Sequence, residues 1–203
     1  LTIDEADAIP NVVDLGAQRT LANGDLVVTV PRPRVSRAEF LLLALVRDAW
    51  PARPLYFSRT VGGLPNALGF GPHLLTQGLA RKLLERPVAP SGDTVFVRGE
   101  GFMDVTRSER LWREVFAANH SLASRDGWVD DASVVIPDLY VLAGLGLAEG
   151  LALAGRGAGA ERIFRETRAI AQAMRRLDVF GLDARRTALP TEDVVDSTPP
   201  TPR

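Results

Sequence analysis

Cysteine is absent from the 203 residues, and with it any disulfide framework, thiolate zinc site or cysteine nucleophile. Histidine is nearly so: His73 and His120 are the only two, and no ligand spacing joins them to each other or to carboxylates. The basic set is 23 Arg and a single Lys, Lys82. An excess of either charge is also missing. The 24 basic and 25 acidic residues leave a formal charge of -1, which excludes a polyphosphate binder working by bulk attraction, so no nucleic-acid partner is expected. There is no Walker loop, dinucleotide glycine fingerprint or Gly-x-Ser-x-Gly elbow. No uninterrupted apolar run reaches the roughly 20 residues that cross hydrocarbon. The longest are Phe40 to Val46, bounded by Glu39 and Arg47, and Leu139 to Ala148, between Asp138 and Glu149. Both read as buried helices, so no membrane span of its own is expected.

What is present is the composition of a globular chain, 46% apolar and 24% charged. A chain this long can build a core unaided. Asn23-Gly24 ahead of Asp25 to Val30 predicts a turn feeding a strand, stopped by Pro31 and Pro33. Ser36 three residues before Glu39 is a capping-box spacing and predicts a helix from Arg37 to Ala49, ended by Trp50-Pro51. Arg53 to Ser58 reads as a short buried strand. Leu75, Leu79 and Leu83, four apart, predict a helix over Pro72 to Leu84. Thr94 to Val97 reads as a strand. Thr106 or Ser108 is expected to cap a helix carrying Leu111, Trp112, Val115 and Phe116 on one face.

The last third turns to small residues. A helix from Pro137-Asp138 to about Ala154, a glycine turn over Gly155 to Gly159 and a helix from about Ala160 predict an antiparallel hairpin. Gly144, Ala148, Ala152 and Ala160 would let the two backbones approach closely. The order Leu147, Gly150-Leu151, Gly155, Ala160, Phe164 resembles one tetratricopeptide repeat. The expected fold class is α+β, predominantly helical, with short strands in the N-terminal half and a tetratricopeptide-like hairpin in the C-terminal half. The expected divisions are a mixed α/β region over 1–132, the hairpin over 133–186 and a Thr/Pro-rich tail over 187–203.

Two groups could carry chemistry. Trp50, Arg53, Tyr56 and Phe57 form the densest aromatic–cationic cluster. Such a group either binds sugars, nucleotides or phosphates by stacking and forked hydrogen bonds, or is a core strand whose Arg is tied to carbonyls or a carboxylate. Asp126-Gly127-Trp128-Val129-Asp130-Asp131 gathers three carboxylates beside an aromatic, for acid–base work or a hard cation, or simply for a turn whose Asp side chains accept backbone N–H bonds. No catalytic, cofactor-binding or metal-ligating residue is assigned, and no cofactor is expected.

The run Ala49-Trp50-Pro51-Ala52-Arg53-Pro54-Leu55-Tyr56-Phe57, then Gly69-Phe70, then Leu74-Leu75 and Gly78-Leu79-Ala80-Arg81-Lys82-Leu83, resembles the bacterial family related to transmembrane protein 260, of the GT-C protein O-mannosyltransferase type. Asp104 before a helix carrying Trp112, the loop with Trp128 and Asp130, and the final hairpin follow in the family's order, over about residues 35 to 180. Gln77 stands where the family usually has Glu, and Arg81 where it usually has Tyr.

The resemblance implies a soluble C-terminal, extracytoplasmic (periplasmic) location beside a multi-helix membrane domain. The family's presumed catalytic carboxylate belongs to that membrane domain. The chain, which opens at Leu1 rather than Met, is then expected to be a non-catalytic piece of something larger. Its role would be protein–protein contact or positioning of a protein acceptor, through Trp50, Arg53, Pro54, Tyr56, Phe57, Gly78, Leu79, Asp104, Trp112, Trp128 and Asp130. The alternative is a structural subunit docked on the periplasmic face of a larger membrane complex. A stand-alone enzyme is a third reading and would need a site built from isolated Asp, Glu, Arg and Tyr.

Overall fold

Residues 3–17, 19–116, 118–128 and 130–183 are described by the computed structural model; the Thr/Pro-rich stretch at 187–203 lies outside them. After a short α1 (Ile3–Asp7), β1 (Val12–Asp14) opens the N-terminal part. β2 (Thr20–Asn23) and β3 (Leu26–Thr29) form the hairpin expected at Asn23-Gly24, with Asn23 opposite Leu26 and Gly24 at φ +63°. β4 (Arg34–Ser36) runs antiparallel to β1. It leads directly into α2 (Arg37–Ala49), whose capping box forms as its spacing predicts. Ser36 Oγ accepts from Glu39 N, and Glu39 Oε2 accepts from Ser36 N at 2.8 Å. The other end of α2 is held by Asn23, whose Nδ2 donates to the carbonyls of Arg47 and Trp50 at 2.7 and 2.6 Å.

β5 (Tyr56–Ser58), a four-residue α3 (Leu64–Ala67), β6 (Leu74–Gln77), β7 (Ala80–Leu83), β8 (Thr94–Val97) and β9 (Gly101–Asp104) follow. Five of these strands make one sheet in the order β5-β7-β6-β9-β8, antiparallel except for β6 beside β9.

The helix predicted over Pro72 to Leu84 is therefore a β-hairpin. Gln77 pairs with Ala80, so Gly78-Leu79 is a two-residue loop with Gly78 at φ +62° in its first position. That is the glycine requirement of a type II′ turn, whose twist matches the strands it joins. Leucines four apart satisfy a strand's period of two as well as a helix's period of 3.6, and the glycine at the centre decides between them. A Cβ on Gly78 would also lie 2.7 Å from the Phe116 ring.

α4 (Val105–Arg110) is capped by Asp104, whose Oδ1 accepts from Arg107 N at 2.8 Å, and not by Thr106 or Ser108. Ser108 is buried and accepts from Gly78 N instead. A π-helical turn, Leu111–Val115, continues α4 and carries Trp112 inward. α5 (Ala118–Ala123) precedes α6 (Val135–Leu153) and α7 (Gly157–Ala173). α6 starts two residues before Pro137. Proline is tolerated in a helix's first turn, where the N–H has no intrahelical partner. Gly155 at φ +72° ends α6, and α7 begins three residues earlier than expected, at Gly157.

α6 and α7 run antiparallel. Gly159 faces Leu151, Gly144 faces Thr167, and Arg176 pairs with Asp138 at 2.7 Å. Gly144, Ala148 and Ala160 lie at buried crossings, whereas Ala152 is exposed; the sheet-side approach is made by Gly150, against Val105, Met103 and Val97. By length and composition α6 is long and apolar enough to cross a membrane, and half of it is buried here within the protein.

Two hydrophobic cores result. One gathers Leu26, Val28, Val35, Val46, Phe57, Phe70, Leu74 and Leu83 under α2. The other joins Val97, Met103, Val105 and Trp112 to Leu147, Leu151, Ile163 and Ile170 of α6 and α7. Residues on both sides of position 132 share this second core. Both cores use the same face of the five-stranded sheet. The register sets Phe57, Arg81, Thr76, Met103 and Val95 in one transverse row, with Leu74, Leu83 and Val97 on the same side.

Candidate functional site: the open face of the sheet

Side chains alternate across a strand, so burying one row commits its neighbours to the other side. The next row reads Tyr56, Lys82, Leu75, Phe102, Phe96, each residue directly opposite the next across all five strands. None of the five belongs to either core. Tyr56 and Phe96, at the two ends, are 53% and 59% exposed, and the three between them are partly exposed. The Phe96 and Phe102 rings meet edge to face, 5.4 Å between centroids. Large apolar side chains are normally the first to be buried, so four of them in one row with a lysine, on a rigid sheet outside both cores, mark a surface for something else.

A parallel row on the same face reads Ser58, Ala80, Gln77, Asp104, Thr94. Gln77 Nε2 donates to Asp104 Oδ2 at 3.2 Å. Burial holds the Asp104 carboxyl above its ordinary value. The Gln77 hydrogen bond pulls the other way, the nearby Asp93 charge adds to the rise, and Arg110 opposes it. Lys82 has no ion pair or hydrogen bond among the described residues.

The residues singled out from the sequence do not converge on one site. Tyr56 and Asp104 stand on the open face. Phe57 points into the core below it, and Gly78 and Leu79 form the β6–β7 turn. Trp50 packs on the core under α2. Trp112 is buried against α6 and α7, its Nε1 donating to Glu166 Oε2 at 2.8 Å. Pro54 and Arg53 are exposed. Arg53 departs from expectation: its backbone N–H bonds the Ala49 carbonyl, and among the described residues its guanidinium has no partner. It precedes β5 and is not part of it, so it was never turned inward. Tyr56 departs too, since the strand predicted as buried shows one ring to solvent. In the acidic loop, Asp130 accepts from Ser133 N and Oγ, each at 2.7 Å, which holds its carboxyl low. Ser133 Oγ in turn accepts from Trp128 Nε1 at 2.9 Å. Arg125 lies over the Trp128 ring.

Lys82, Leu75, Gln77, Phe102 and Phe96 were missed. The signal was present: two four-residue runs separated by Gly-Leu are a hairpin pattern. Reading them as a helix hid the row.

Beneath the open face, where the two cores meet, Arg59 donates to Glu100, Thr76 Oγ1 donates to the Glu100 carbonyl at 3.0 Å, and Arg81 donates to the Gly62 carbonyl. Arg59 is the ion-pair partner of Glu100, Arg81 lies within the field of both charges, and Glu100 lies against Gly146 of α6. This cluster ties sheet to helix. A groove of about 720 Å³ between α2 and the N-terminal strands is lined by Leu15, Arg19, Leu21, Phe40, Leu43 and Arg47 among others. Among the described residues no group of three or more His, Asp or Glu could hold a metal ion. No protein-family model, curated protein or solved structure matches this chain.

Proposed function

We propose that this chain is a non-catalytic, extracytoplasmic contact domain of a membrane glycosyltransferase-like protein, and that its open sheet face positions an acceptor. The observation that carries the reading is the row Tyr56–Lys82–Leu75–Phe102–Phe96, held on five paired strands outside both cores. The ordered resemblance supplies the parent. On this reading α6 is a core helix and not a membrane span, and α6 with α7 is a tetratricopeptide-like hairpin that seats the domain on its neighbour. A photo-cross-linking residue at Phe96, in the protein as cells make it, tests this. Cross-links to a secreted protein substrate are expected. Absence of any partner at Phe96 overturns the reading.

A second reading is favoured by one observation. Ile136, Leu142 and Leu153 of α6 are exposed despite being apolar. They would suit an assembly subunit docked on a membrane complex. Cross-links from Leu142 to other subunits, with none from Phe96, would establish that role instead.

A further inference from the structure

We propose that the open sheet face binds a linear, uncharged glycan chain lying across the strands, along the aromatic row. This rests on the reading of that face as a contact surface and names what the surface takes.

The dimensions restrict the occupant first. Five strands spaced about 4.8 Å apart give a row about 19 Å long, and the polar row runs beside it about 7 Å away. A footprint of that size is far below the roughly 800 Å² per partner that a stable protein interface buries. A second copy of the chain, or a folded protein held by this face alone, is therefore too large for what is offered. A slender chain fits. A segment lying along the row runs transverse to the strands, so it cannot join the sheet as a sixth strand and gains no backbone ladder.

Binding must then come from side chains, and their kinds select the ligand. The row offers ring faces and edges at Tyr56, Phe102 and Phe96, with Leu75 between them. The flanking row offers hydrogen-bonding groups at Ser58, Gln77, Asp104 and Thr94. Gln77 spends one of its two amide N–H groups on Asp104 and keeps the other, with its carbonyl oxygen as an acceptor; Lys82 supplies a further donor without a competing partner among the described residues. A sugar chain has this same pairing, with C–H faces that stack on rings and hydroxyl edges that give and take hydrogen bonds. Single-stranded nucleic acid also stacks on aromatic platforms, but it needs a basic track for its phosphates. Here one Lys is offset by one Asp on the face, and the chain as a whole carries -1. Charge therefore favours the neutral polymer.

Calorimetric titration of the purified 203-residue chain tests the proposal. The probes are linear neutral hexasaccharides of glucose, mannose and N-acetylglucosamine, the corresponding trisaccharides, a ten-residue oligothymidylate and a ten-residue peptide containing Asp. One hexasaccharide is expected to bind at least about fivefold more tightly than its trisaccharide, because only the longer chain spans the row. Phe96→Ala and Tyr56→Ala are each expected to weaken it at least about fivefold with unchanged melting temperature. Raising the salt concentration from about 50 to about 300 mM is expected to change it less than about twofold, since no phosphate or carboxylate is being held. Binding of oligothymidylate or peptide in preference to every glycan, glycan binding indifferent to both aromatic substitutions, or no glycan binding by the folded chain would each overturn the proposal. Cross-linking from Phe96 to a protein without glycan binding would remove the glycan and leave the contact role. Glycan binding without a protein at Phe96 would remove the protein acceptor and leave the glycan.

Discussion

Gln77 and Asp104 meet across the one parallel strand pair of the five-stranded sheet, the Gln77 amide donating to the Asp104 carboxylate at 3.2 Å. The same carboxylate caps α4 through its other oxygen. One side chain thereby sets the exit of β9, the start of α4 and the polar edge of the open face.

The raised pKa of Asp104 has a defined consequence for stability. Its folded form holds a proton more tightly than the unfolded chain, whose reference value is 3.8. The stability it contributes is fully present below that value and is lost as pH rises through the folded value. Asn caps helices as well as Asp does. Asp104→Asn is therefore expected to match or exceed the native melting temperature near neutral pH and to flatten its dependence above pH 3.8. An equal slope in both proteins, measured by thermal melts across that window, would contradict the assignment.

The crossing of α6 over α7 depends on a missing side chain. A Cβ on Gly144 would overlap Thr167 Oγ1 and lie 2.7 Å from Trp112 Cη2. Gly→Ala within an exposed helix stabilises by about 0.5–1 kcal/mol. At this position overpacking should win, and Gly144→Ala is expected to cost about 1–3 kcal/mol in urea denaturation. Adding Thr167→Ala should recover part of that, because the worst overlap goes with the hydroxyl. Simple additivity of the two losses would show that the helices separate freely.

Glu100 is the carboxylate at the junction of the two cores, with Arg59 9% exposed along its side chain. Burial lowers the pKa of Arg81, the neighbouring Arg59 charge lowers it further, and Glu100 raises it. Removing the anion leaves partly buried cations facing each other. Glu100→Gln is expected to cost about 3 kcal/mol. Arg59→Met with Glu100→Leu should be less damaging than Glu100→Gln alone, since no unpaired Arg59 remains. Chemical denaturation of both variants decides this; a Glu100→Gln protein of native stability would dismiss the cluster as a structural tie.

Arg53 and Trp112 should separate sharply although the sequence treats them alike. Arg53→Ala is expected to change stability by less than about 0.5 kcal/mol, as exposed substitutions usually do. Trp112→Ala removes a buried indole and its bond to Glu166, with an expected loss of about 3–5 kcal/mol. Comparable losses at both positions, in the same melts, would mean that Arg53 is held in a way its exposure does not show.

Local features of the chain settled a good part of this fold. The capping box of Ser36 and Glu39, the turn at Asn23-Gly24, the strand at Thr94 to Val97 and the glycine turn that folds α7 back on α6 all depend on residues within a few positions of one another. Backbone preference and capping act at that range, so they are legible without neighbours. Absent cysteine and balanced charge likewise excluded thiol chemistry and bulk attraction of polyanions before any contact was known.

The open face was decided elsewhere. Leu75 and Leu83 look equivalent in sequence. Gly78 reverses the chain between them, so Leu83 pairs with Leu74 toward the core while Leu75 pairs with Lys82 toward solvent. Which side of the sheet is inside is then set by α2, α6 and α7, helices drawn from both ends of the chain. Burial is a property of what arrives on a surface, not of the residues that form it. The row from Tyr56 to Phe96 accordingly exists only when five strands align and both cores claim the opposite face.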